Sequence, residues 1–144
     1  MKSLTLTIPG VPIAQRRPRF ARSGKFVTTY SDQHTEAGKF LLAAREQAGG
    51  VFLEGPLSLE VICAFPRPKS HFGTGKNADK LKASAPKYHV VKPDLDNCIK
   101  FIKDCLNSEV YKDDSQICQI NRTVKDYVEE GQQPYTWIKL TELK

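Results

Sequence analysis

The nine residues KPDLDNCIK, 92–100, place two aspartates two positions apart, an asparagine after the second, and a lysine four residues beyond it. A second acidic pair, Asp113-Asp114, follows in YKDDS. Carboxylates without histidine or thiolate neighbours are hard oxygen donors, suited to magnesium or manganese rather than zinc. If Asp94, Asp96 and one of the later pair converged, they could share such an ion with water and a phosphate. The ion would generate hydroxide and stabilise charge on a phosphodiester, and two ions about 4 Å apart could clamp the attacking and leaving oxygens. Lys100 could then stabilise the phosphorane or orient the attacking water. Each residue also has a plain structural reading. Asp94 suits a helix N-cap and Asp96 the positive end of the helix dipole. An Asp96–Lys100 surface pair is worth only about 0.2–0.5 kcal/mol, and paired aspartates are common in solvated turns.

Those side chains need elements to hold them. Leu95, Ile99, Ile102 and Leu106 recur at helical spacing with Cys98 and Cys105 beside them, predicting a helix over 94–107. At about 100° per residue, Asp96 and Lys100 lie roughly 40° apart on the face opposite that stripe. Strands are expected at 2–8, where Leu4, Leu6 and Ile8 alternate, and at 57–65, 116–125 and 135–141. A helix over 33–48 ends at Gly49-Gly50. Between 66 and 93 the pattern dissolves into proline, glycine, lysine and small polar residues, with at most a short helix at 77–83. A connection this long is usually functional or mobile. The order β-α-β-(long basic loop)-α-β-β describes one α+β domain spanning 1–144 with a mixed or antiparallel sheet.

Charge is distributed unevenly over the 144 residues, whose formal net charge is +6. Residues 12–25 hold Arg16, Arg17, Arg19, Arg22 and Lys25 and no acid. Residues 66–92 hold Arg67, Lys69, Lys76, Lys80, Lys82, Lys87 and Lys92 against Asp79 alone. The remainder carries ten bases and fifteen acids, so all the positive excess lies in two segments. That is the footprint expected for a polyanion such as nucleic acid; the alternative is a pair of solubilising loops. Phe26, Tyr30 and Phe72 stand near those segments and could stack on bases or simply pack.

Cys63, Cys98, Cys105 and Cys118 lack metal-site spacing and fall in apolar patterns, which predicts buried free thiols. His34, His71 and His89 have no partner at metal spacing and are expected as exposed polar residues. The alternating N-terminus is unlike a signal peptide, and no apolar run reaches the roughly 20 residues of a membrane span. A cytoplasmic address is the expectation.

Together, KPDLDNCIKFIKDCLN and VYKDDSQI resemble the RusA family of Holliday junction endodeoxyribonucleases, as do the opening IPGVPIAQRRPRF, the loop FPRPKSHF and the approach YHVVKPDLDN. The resemblance is to phage and bacterial members and runs from about residue 4 to 140. It implies a homodimer of small α+β subunits that uses Mg2+ (Mn2+ as a substitute) to cut four-way junction DNA at two symmetric positions, in recombination and repair. Residue by residue, Asp94, Asp96 and Asp114 match the family's catalytic acids and Lys100 its essential lysine, with Asp113 and Asn97 in supporting places. Arg16, Arg17, Arg19, Arg22, Arg67, Lys69, Lys76, Lys80, Lys82, Lys87 and Lys92 would grip the DNA backbone. Two departures stand out. Ser108-Glu109 occupies a turn where many members have glycine, and Pro93 replaces a basic residue, which would pass a phosphate contact to Lys92. Junction preference comes from the resemblance alone. The rival readings are an inert junction-binding module of the same fold and a metal-dependent nucleotide phosphohydrolase.

Overall fold

The protein is described by a computed structural model covering residues 2–16, 19–23, 26–30 and 34–144, with the backbone alone for 19–23, 26–30 and 34. Strand β1 (Ser3–Pro9) is followed by a hairpin of β2 (Arg19–Ser23) and β3 (Phe26–Tyr30), then helix α1 (His34–Ala48) and strand β4 (Leu57–Phe65). Helix α2 (Leu95–Leu106) precedes β5 (Ile117–Tyr127) and β6 (Tyr135–Glu142). The main sheet has order β1-β6-β4-β5, antiparallel except for the parallel β4–β5 pair. Parallel neighbours require a long crossover, and this one contains both the basic loop and α2. The architecture is therefore the expected α+β domain with a mixed sheet, plus a hairpin.

One face of the sheet carries the core. Leu4, Leu6 and Ile8 of β1 pair with Leu140, Ile138 and Thr136 of β6, which in turn pair with Leu59, Val61 and Cys63 of β4. All nine are buried. Against them α1 contributes Phe40, Ala44 and Ala48, while α2 contributes Cys98, Ile99, Phe101, Ile102, Cys105 and Leu106. Phe40 and Phe101 meet edge to face with centroids 5.6 Å apart, which locks the two helices together. Burying an aliphatic or aromatic side chain contributes roughly 1.5–3 kcal/mol, so the apolar stripe of α2 holds its polar face outward. Phe101 adds to the stripe read from the sequence, and Leu95 is only half-buried.

Several expectations are corrected. Backbone pairing from Arg19↔Tyr30 to Ser23↔Phe26 forms a hairpin within the arginine-rich segment and the FVTTY that follows it, where the sequence reading assigned no strand. No helix forms at 77–83; single 3₁₀ turns occur at Lys69–His71 and Gly75–Asn77. Cys118 is exposed on β5, whereas the other three cysteines are buried. His89 is buried too, stacked on Phe65 at 4.0 Å and edge-on to Tyr127. The side chains of Phe26, Tyr30 and His34 lie outside the described residues. Among the described residues no helix is long and apolar enough to cross a membrane.

The basic loop is folded onto the end of β5 rather than left free. Phe72 bridges Leu81, Gly73 N–H donates to Lys80 O at 3.0 Å, and Leu81 N–H donates to Glu130 Oε1 at 2.7 Å. Gly73 is required there, because a Cβ would come within 2.7 Å of the Asn77 Cβ. Further on, Tyr127 N–H donates to Lys87 O at 2.9 Å and His89 N–H to Lys125 O at 3.0 Å, so residues 87–89 extend the outer edge of β5.

Candidate active site

Helix α2 starts where the chain emerges from Lys92-Pro93, a cis peptide bond. Asp94 is the N-cap residue in extended conformation, yet its side chain makes no capping bond to the helix. The carboxylate expected to cap is therefore uncommitted to the helix. Asp96 sits in the first turn, and one of its oxygens accepts the Asn97 N–H at 3.0 Å. Asp94, Asp96 and Lys100 are all exposed.

Asp96, Lys100 and Asp114 line one cleft of about 300 Å³, together with Ile99, Lys103 and Asp104. From Asp96 to Asp104 the helix rises about 12 Å, so the cleft runs along its polar face. Three carboxylates and two ammoniums line it. Sequence reasoning did not single out Lys103 and Asp104, although helical spacing from Lys100 was the available signal. Asp94 lies in a different hollow, with Asn97, Lys92 and Arg16. Arg16 also forms an ion pair with Glu36. The Gln15 N–H donates to Asn97 O at 2.9 Å, tying this flank of the helix start to the segment after β1.

Asp114 is placed by its neighbours. Its backbone N–H donates to Asn107 Oδ1 at 2.9 Å. Buried Tyr111 sends its hydroxyl to Lys103 O at 2.9 Å, fastening the YKDDS turn to α2. Burial, then the charge of Asp114, pushes the Tyr111 phenol well above its usual range, so it stays a donor. Neither Asn107 nor Tyr111 was singled out from sequence. Asp113 turns elsewhere. It forms a capping box with Gln116, its N–H donating to Gln116 Oε1 at 2.9 Å, and its carboxylate accepts the Ser115 hydroxyl. The Ser115 bond holds the Asp113 carboxyl below the usual range.

Ser108, where the resemblance expects glycine, adopts φ 67°, the left-handed conformation that glycine takes without steric cost. The departure in sequence thus leaves the turn intact. Glu109 beside it forms a two-bond bridge to Arg45 of α1, at 2.9 and 2.7 Å.

Of the basic residues, Lys69, Lys76, Lys80, Lys82, Lys87 and Lys92 are exposed. Arg67 is committed inward: its guanidinium donates to Val128 O at 2.6 Å and Pro86 O at 2.7 Å, and stacks over Tyr127. Arg17 and the side chains of Arg19, Arg22 and Lys25 lie outside the described residues.

Whether this site suits a divalent cation depends on its donors. Among the described residues no three acidic, histidine or cysteine side chains stand close enough to cage an ion. Magnesium rarely requires such a cage, since it binds one or two carboxylates and completes its octahedron with water and phosphate. Asp96 and Asp114, which line one cleft, meet that description, while Asp94 stands in a different hollow.

Asp96 and Asp104 on α2, with Asp114 before β5, give this mixed-sheet α+β domain an acidic cleft that also holds Lys100 and Lys103. Residues 9–141 match the model of the endodeoxyribonuclease RusA family, and the chain belongs to that family. It is also similar to YqaN of Bacillus subtilis (strain 168), an uncharacterized protein, with 34% identity over 137 residues, covering 90% of this chain and 92% of that one.

Proposed function

We propose that the protein is a magnesium-dependent, structure-selective endodeoxyribonuclease that resolves four-way DNA junctions as a homodimer by paired symmetric cuts. The observation that carries this reading is the cleft shared by Asp96, Lys100 and Asp114 in a chain of an endodeoxyribonuclease family. Asp96 and Asp114 would hold the cation together with the scissile phosphate in the cleft they share, and Asp94 would join them as a third carboxylate once the ion is bound. When bound, the cation supplies an acidified water and neutralises phosphate charge. Lys100 stands one helical turn from Asp96 and stabilises the negative charge of the pentacoordinate phosphate. Asn97 and Asp113 support the loops that carry the acids. Lys69, Lys76, Lys80, Lys82, Lys87 and Lys92 grip the DNA backbone, with a 5′-phosphate and 3′-hydroxyl left at each nick. A two-fold dimer on a two-fold junction accounts for paired incision.

Labelled synthetic junction and linear duplex of matched sequence, incubated with Mg2+, provide the test. Selective cutting of the junction at two symmetric positions is expected. Equal rates on duplex and junction would contradict the resolvase reading. Junction binding without cutting would instead mark an inert binding module, and turnover of mononucleotides would mark a phosphohydrolase.

A further inference from the structure

Lys125 is a charged residue placed on the inner side of the sheet. Its register partner on β4 is Cys63, which is fully buried on the face that packs against the helices. The ammonium lies beneath the entry to α2, donating to Val91 O at 2.8 Å and Pro93 O at 2.7 Å. These two carbonyls bracket Lys92 and end one residue before Asp94. The Lys125 carbonyl meanwhile accepts the His89 N–H at 3.0 Å, so one residue grips the incoming chain at three points.

A bond from an ammonium contributes roughly 1.5–3 kcal/mol, against about 0.5–1.5 for a neutral one. A lysine committed to two carbonyls is thereby removed from DNA binding. Both acceptors fall in the four residues before α2, where the N-cap side chain makes no bond to the helix. Lys125 therefore supports the approach to α2 from beneath, where the Asp94 side chain adds no bond to the helix.

We propose that Lys125 is a positioning residue for the acidic site, setting Asp94 and Asp96 through the carbonyls of Val91 and Pro93. The proposal rests on the reading of those acids as metal-holding nuclease residues, and its test separates the two. Lys125→Met keeps the length and removes the donors, whereas Lys125→Arg keeps donors. The probe is Mn2+ alone, followed by broadening of the backbone amide signals of residues 95–97, alongside Tm, junction affinity without divalent ions, and cleavage in Mg2+.

For Lys125→Met, about tenfold more Mn2+ is expected for the same broadening, with a similar loss of cleavage, as for other residues that orient metal ligands. Junction affinity stays within about twofold, since no phosphate contact is lost. Lys125→Arg recovers part of the Mn2+ response. A wild-type Mn2+ response in Lys125→Met overturns the proposal, whatever happens to Tm. So does a loss of response that simply follows Tm across both variants. If Lys125→Met does not fold, Lys125→Leu, which likewise has no donor, carries the same comparison with the same outcomes. A wild type that cuts nothing but binds Mn2+ at residues 95–97 removes the nuclease reading and leaves the positioning role to be decided by the broadening. A wild type without any Mn2+ response overturns both.

Discussion

The Asp114 backbone N–H donates to the Asn107 side-chain oxygen at 2.9 Å, so the first residue after α2 holds the acid that precedes β5. Asn107→Ala removes the acceptor. The expected result is a kcat on junction DNA lowered about 10- to 100-fold with little change in KM, since misplacement of a reacting group by about 1 Å costs on this scale. Asn107→Asp retains an oxygen acceptor and should lose less. Steady-state kinetics on the two variants decides the matter; equal activity in Asn107→Ala and wild type would show that this bond does not position the site.

The exposed lysines and Arg67 should separate cleanly. Lys76→Ala, Lys80→Ala or Lys82→Ala should each weaken junction binding and reduce the slope of log affinity against log salt by about 1 where a phosphate contact is lost. Arg67→Ala should instead lower Tm, because its guanidinium holds Val128 and Pro86. Salt titrations of binding and thermal melts of the same four variants provide the check.

His89 makes stability depend on pH in the mildly acidic range. Burial first, then the charge of Lys125, holds its imidazole below the ordinary value, and its Nδ1 has no partner among the described residues. The unfolded chain therefore takes up a proton at a pH where the folded chain does not. Stability is undiminished above the ordinary histidine value of about 6.5 and falls as pH drops from there through the lowered folded value. His89→Phe keeps the stacking on Phe65 without the titration, so its Tm should fall less than that of wild type between about pH 7 and 5.5. Parallel Tm curves would contradict this.

Ser108 holds φ 67° at the turn between α2 and the acidic pair. The left-handed conformation costs a non-glycine residue about 1–2 kcal/mol, partly offset by the greater chain entropy that glycine loses. Ser108→Gly should raise stability by roughly 0.5–1 kcal/mol without altering cleavage. Urea unfolding measures it directly, and a destabilised Ser108→Gly would show that the serine hydroxyl matters more than the backbone.

Helix α2 was legible because its apolar residues recur at one helical stripe, and the observed Leu95–Leu106 lies within the expected 94–107. The strands of the main sheet were legible through alternation for the same reason. The β2–β3 hairpin was overlooked although FVTTY has strand-forming residues, since the arginines dominated the reading of that stretch. Lys125 was hidden by the backbone. Arg122 adopts φ 43° and the β4–β5 register shifts between Glu60 and Ile62, so alternation counted from Ile117 does not say which side Lys125 faces. The candidate acids were named from spacing, and the two-residue step from Asp94 to Asp96 at the helix start already turns them to different hollows. The arrival of Asp114 in the Asp96 cleft instead follows from the crossover between parallel strands. That crossover sends the chain from the end of β4 through α2 before β5 begins, and no local pattern in the sequence shows it.

In the proposed function the carboxylates at the start of α2 carry metal-dependent cleavage. Its most direct test is the single-turnover rate constant for cutting a four-way junction in Mg2+, measured for wild type and Asp96→Asn at matched junction occupancy. The expected result is a rate lowered by about 10³-fold or more, the scale on which removal of a charge-stabilising group acts, with junction affinity retained. Asp96→Asn cutting at the wild-type rate would contradict the account.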